Sequence, residues 1–223
     1  MKHIKNKKIA VILSGCGVYD GTEINEAVLT LLSLEENQLS YQCFAPDIMQ
    51  THVINHVNIM ETTEKRNVLI ESARIVRGKI KSLDKCEVDE FASLIIPGGY
   101  GVIKNLCNFA LKGENMEIHP SLLRILKKFK NQYKPTGYIC IAPLMLPLVY
   151  GPGIRLTVGN DQSIINIVEK LGGVHEITKV FEVIIDWEHK VVTTPAYMLA
   201  SSIMEAKQGI DKMIETIKQM IYY

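Results

Sequence analysis

The chain has 223 residues, 47% of them hydrophobic and 22% charged, with 25 basic residues against 24 acidic. A chain of this size can bury a substantial core without disulfide or metal staples, and its balanced charge argues against nucleic acid or an anionic membrane as the main partner. Five cysteines (Cys16, Cys43, Cys86, Cys107, Cys140) are odd in number and lack CxxC pairing, which fits reduced thiols better than a disulfide framework or a zinc site.

At the start, Met1–Lys8 is basic and Leu13-Ser14-Gly15-Cys16 resembles a lipoprotein cleavage site. The apolar stretch between them, Ile9–Leu13, is shorter than the roughly 7–15 residues of a signal core. A core strand behind a solvated basic tail is therefore expected, in a cytoplasmic protein. No apolar run approaches the ~20 residues of a membrane helix.

The predicted elements alternate. Lys8–Gly15 is a continuous apolar run ending in glycine, as in a strand buried on both faces of a parallel sheet. Asp20 and Glu23 have capping-box spacing, and Glu23–Glu35 carries Ile24, Val28, Leu31 and Leu32 at helical intervals. Tyr41–Pro46 reads as a second strand, the polar segment Gln50–Lys65 as an excursion, and Arg66–Arg77 as a helix. Ala92–Gly99 is a third strand with a glycine-rich exit, and Pro120–Phe129 a helix opened by proline. The strand in Thr136–Ile141 runs into a helix starting near Ala142–Pro143. Val180–Asp186 and Val191–Thr194 form strands around the turn Trp187–His189, before a terminal helix over Leu199–Met220. This order predicts an α/β fold with a mainly parallel sheet covered on both faces, in a single domain over residues 1–223.

In such sheets ligands bind beyond the carboxyl ends of the strands. Cys140 stands there, at a tight strand-to-helix turn where a side chain projects above the sheet. The N–H of Ile141, at the start of the following helix, points to the same spot and favours thiolate or an oxyanion. A small buried cysteine at a strand end is the bland alternative, and spacing alone leaves the two readings level. Gly98 and Gly99 suit the second half of an oxyanion hole or a plain strand-exit turn. Glu23 suits a carboxyl partner of the thiol or a helix cap. Cys16, inside "SGCG", is a pocket-wall candidate with no base set against it. No histidine has metal-ligand spacing, and no Walker or Rossmann glycine loop occurs, so neither metal nor cofactor is expected.

These corners are joined by longer blocks: "VILSGCGVYDGTEINEAVLTLL", "CFAPD", "HVINH", "VLIESARI", "IIPGGYGVIKNLCNFA", "GYICIAP" and "VVTTPAYMLA". Together they resemble the ElbB (enhancing lycopene biosynthesis) family, in the PfpI-like branch of the class I glutamine amidotransferase-like superfamily. The resemblance implies a flavodoxin-like three-layer sandwich and a homodimer. It also implies Cys140 as nucleophile at an elbow, Glu23 as its carboxyl partner, and an oxyanion hole from the backbones of Gly99 and Ile141. Active members of the superfamily place a histidine after the elbow. Here Gly159 falls at that position, with Asn160 and Asp161 beside it, so amidotransferase and protease chemistry recede. What survives is a metal-free glyoxalase-type reaction on a small reactive dicarbonyl, with a pre-ionised Cys140 and a proton-shuttling Glu23. The alternative is a thiol sensor or an accessory protein of isoprenoid metabolism, in which an accessible, low-pKa Cys140 is oxidised rather than turned over.

Overall fold

The computed structural model describes residues 8–222. The basic tail expected at Met1–Lys8 lies outside them apart from Lys8. The strands are β1 (Lys8–Ile12), β2 (Tyr41–Ala45), β3 (Ile54–Asn55), β4 (Met60–Glu61), β5 (Ile80–Ser82), β6 (Phe91–Ile96), β7 (Thr136–Ile139), β8 (Arg155–Leu156), β9 (Val174–His175), β10 (Ile184–Asp186) and β11 (Val191–Thr194). The helices are α1 (Ile24–Glu36), α2 (Val68–Ile75), α3 (Phe109–Lys112), α4 (Pro120–Asn131), α5 (Leu146–Tyr150), α6 (Gln162–Lys170) and α7 (Ile203–Tyr222). One π-helical turn, Val102–Leu106, follows the glycine-rich exit of β6.

Seven strands make one sheet in the order β10-β11-β7-β6-β1-β2-β5, parallel throughout except for the antiparallel pair β10-β11. All of β6 and β7 is buried, as is β1 beyond Lys8, which is why these segments read as mainly apolar runs rather than alternating ones. Side chains of β7 alternate between two helical layers. A Cβ on Gly137 would meet Ile217 and Met213 of α7, while the Thr136 hydroxyl lies 3.1 Å from that of Tyr150 on α5. The expected α/β sandwich is thus present. Among the described residues no helix is long and apolar enough to cross a membrane.

Several details differ from the sequence expectation. The chain beyond Cys140 is a 3-10 turn (Ala142–Met145) before the short α5. The terminal helix begins at Ile203 because Ala196–Met198 forms another 3-10 turn. The polar edge strand β5 and helix α6 were not expected. The stripe Ile24, Val28 and Leu32 of α1 is 42–47% exposed, whereas Glu26, Thr30 and Ser33 of the same helix face the core.

Candidate active site

The register of β7 against β11 pairs Ile139 with Thr194 and continues one step further, where the Cys140 N–H donates to the Thr194 carbonyl at 2.9 Å. Cys140 itself has φ +62°, a left-handed backbone that a side-chain-bearing residue rarely adopts. That reversal is what swings the sulfur out of the strand's alternation. The backbone N–H groups of Gly99 and Ile141 both donate to the sulfur. A Cβ on Gly98 would lie 2.4 Å from Cys140 Cβ, 2.7 Å from Glu26 Oε2 and 3.0 Å from Cys140 Sγ. Gly98 therefore forms a wall that only glycine can make.

The carboxyl group against the thiol is Glu26, not Glu23. Glu26 is fully buried and hydrogen-bonds Cys140, and its two oxygens accept the N–H of Gly98 (2.8 Å) and of Tyr197 (3.2 Å). Glu23 is the N-cap of α1, with its carboxylate on the Glu26 N–H at 2.6 Å. The expected helix Glu23–Glu35 lies within one residue of α1, but the capping box set its cap three residues too early, with Asp20 as cap and Glu23 as the reciprocal carboxylate. With the cap at Glu23, it is Glu26 that falls on the inward face. Asp20 instead accepts the Ile54 N–H at 2.7 Å and ties the hairpin of β3 and β4 to the first loop.

Burial, then the nearby charge of Glu23, push the Glu26 carboxyl up to about 8. Burial, then the charge of Glu26, push the Cys140 thiol well above its ordinary range, against the pull of the two N–H donors. Cys140 is only 8% exposed. The expectation of an accessible, pre-ionised thiolate is therefore corrected: at rest the pair holds its protons, because no cation among the described residues acts on either group.

Cys16 is half-buried, and its electrostatic neighbours are Glu71, Arg74, Asp20 and Arg66, none of which touches Cys140. Gly159 packs so tightly that a Cβ would lie 2.7 Å from Met198 Cβ, so a histidine there would displace the turn that carries Tyr197. Asn160 is exposed beyond it, and Asp161 N-caps α6 through the N–H groups of Ser163 and Ile164. An imidazole still lies beside this segment: His175 of β9 adjoins the Gly159 backbone, its buried Nε2 unpaired among the described residues. Among the described residues no cluster of His, Cys, Asp or Glu could hold a metal ion.

A parallel sheet with a strained cysteine elbow facing paired backbone amides defines the class as a class I glutamine amidotransferase-like α/β protein. No family model matches the sequence. Curated relatives do. The chain is 39% identical over 223 residues to the human mitochondrial "glutamine amidotransferase-like class 1 domain-containing protein 3", covering 96% of this chain and 83% of that one. It is 40% identical over 224 residues to the rat mitochondrial ES1 protein homolog, covering 96% and 84%. The crystal structure of an isoprenoid biosynthesis protein with amidotransferase-like domain from Ehrlichia chaffeensis superposes with a TM-score of 0.89 at 35% identity, covering 96% and 99%. The chain belongs to this family of glutamine amidotransferase-like class 1, or ES1, proteins.

Proposed function

We propose that this protein is a cysteine-dependent glyoxalase of the ElbB, PfpI-like branch, converting a small dicarbonyl to a hydroxy acid without glutathione. The observation that carries the reading is the convergence of a carboxyl group and two N–H donors on the sulfur of Cys140. Glu26, ionised in a minority of molecules at neutral pH, takes the thiol proton as sulfur adds to the aldehyde carbon of methylglyoxal. The N–H groups of Gly99 and Ile141 hold the new oxyanion, which Glu26 protonates. The Glu26 carboxylate then removes the C1 hydrogen, and the electron pair moves through an enediol. The carboxyl returns the proton to C2 while the hydroxyl proton passes between the two oxygens. The product is an S-lactoyl thioester, which water hydrolyses to lactate and the free thiol.

The test is lactate formation from methylglyoxal without added metal or glutathione. Cys140→Ala should abolish it, and Glu26→Gln should lower it by roughly 10²–10⁴, the range of a general acid–base group. Glu23→Gln, which keeps a capping oxygen, should lower it far less. Equal rates in wild type and Cys140→Ala would sink the proposal.

A second reading, an accessory role in isoprenoid metabolism without turnover, is favoured by the raised, 8%-exposed thiol and by what the Ehrlichia relative is called. In either reading a second copy of the chain is the proposed partner and the cytoplasm the proposed compartment. The apolar stripe Ile24, Val28 and Leu32 supports the former, and light scattering showing a monomer would remove it.

A further inference from the structure

At the opposite end of the sheet, at the amino ends of β7 and β11, a cavity of about 320 Å³ is lined by Lys130, Asn131, Tyr133, Tyr150, Glu188 and His189. Its polarity is divided. The end of α4 supplies donors: the Lys130 ammonium spends two N–H groups on the carbonyls of Val149 and Tyr150, both at 3.2 Å, and keeps a third. The Asn131 amide stands beside it. The turn between β10 and β11 supplies acceptors. His189 Nδ1 lies 3.0 Å from the buried Asp186 Oδ1, which fixes the ring. With the proton on Nδ1, Nε2 is an acceptor, and the exposed Glu188 carboxylate is a second. Aromatic surface joins the two sets. Tyr150 packs edge-on to His189 at 5.3 Å and beneath Lys130 at 5.6 Å, while Tyr133 stands 69% exposed.

Most of these contacts also serve local structure, as does the Tyr133 backbone, but the exposed Tyr133 ring does not. Helix α4 ends in a Schellman motif, with Tyr133 N–H on the Lys130 carbonyl and Lys134 N–H on the Phe129 carbonyl. Tyr133 occupies the position where glycine is favoured, at φ +50°. A bulky ring is held there against its backbone preference, exposed, at the edge of a polar cavity.

We propose that this cavity binds a flat hydroxy- or amino-aromatic carboxylate. The ring stacks on Tyr133, the carboxylate meets Lys130 and Asn131, and the hydroxyl or amino group donates to His189 and Glu188. One cation against one carboxylate in the lining suits a monoanion better than a dianion.

The experiment is calorimetric titration of the full chain with 4-hydroxybenzoate, for which a Kd of about 1 mM is reasonable for a ligand of that size. Benzoate, lacking the donor, and 4-hydroxycyclohexanecarboxylate, lacking the flat ring, should each bind about tenfold more weakly. Tyr133→Gly should raise Tm by about 2–4 °C through the relieved helix cap while weakening 4-hydroxybenzoate at least about tenfold. Lys130→Met should weaken it similarly. No saturable binding at concentrations well above millimolar, equal binding of the saturated analogue, or undiminished binding by Tyr133→Gly would each overturn the assignment.

Discussion

Two cysteine corners at the same edge of the sheet make opposite use of a buried glutamate. At the exit of β7, Cys140 is covered and faces Glu26, which sits in the first turn of α1 with the thiol and the backbone N–H groups of Gly98 and Tyr197 as its partners. At the exit of β1, Cys16 is half-exposed and lies near Glu71, which sits in the first turn of α2 with Arg74 at 3.0 Å and Arg66 at 3.6 Å. Placement on the helix is alike; the difference is the arginine. A buried carboxyl without a cation keeps its proton, and one with two guanidinium groups can afford its charge. The first is the group that the proposed mechanism uses to pass a proton to and from a neighbouring sulfur. The second is a structural ion pair.

The largest consequence is for stability against pH. Below about 4.5 Glu26 is neutral both folded and unfolded. As pH rises from there towards about 8, the unfolded chain releases the proton and the folded chain keeps it, so stability falls and then levels off. The full span is on the order of 5 kcal/mol. Urea unfolding at pH 5, 7 and 9 should show this decline in wild type and a flatter profile in Glu26→Gln. The variant will start lower at pH 5, by about 1–3 kcal/mol, because its NH₂ must face one of two N–H donors. The slope is therefore the readout, and an unchanged slope would mean that Glu26 is ionised in the folded protein.

Next in size is the wall. Gly98→Ala would push a methyl group against the Cys140 backbone corner and the Glu26 carboxyl, atoms that cannot swing aside. Overpacking of this kind costs about 1–3 kcal/mol, or a Tm loss of several degrees. Thermal unfolding within a degree of wild type would show that the elbow is looser than its contacts imply.

Much of this was legible beforehand. The central strands announced themselves because burial on both faces leaves a mainly apolar run, and Cys140 was marked by the abrupt change from strand to turn. Gly98 and Gly99 were legible as a pair, though not that each faces a different part of the site. Glu26 was missed for want of three residues: Asp20 is a favoured N-cap residue and Glu23 is not, yet Asp20 is drawn away to the Ile54 N–H and the cap falls to Glu23. The apolar stripe of α1 misled in the same way, since Ile24, Val28 and Leu32 face outward while the inward face mixes Ala27, Leu29 and Leu34 with the polar Glu26, Thr30 and Ser33. Helix α6 was not expected although its aspartate cap and the apolar spacing of Ile164, Ile165 and Val168 carried the signal for it. Strand β5 carried none, being short, polar and held by β2 alone.

The smallest effect tests the charged corner. Arg74→Met removes the closer guanidinium from Glu71, but the Arg74 side chain is 65% exposed and Arg66 remains. Solvent screening limits the loss to about 0.5–1 kcal/mol, well short of the 3–5 kcal/mol typical of breaking a fully buried pair. The sharper readout is chemical. Burial and the Glu71 charge hold the Cys16 thiol up, and the Arg74 charge pulls it down. Arg74→Met should therefore slow iodoacetamide labelling of Cys16 at pH 8 by about twofold or more, and Glu71→Gln should speed it. In every variant Cys16 should label before Cys140. Faster labelling of Cys16 in Arg74→Met would mean that the guanidinium acts by covering the thiol rather than by its charge. The two corners would then differ in access alone.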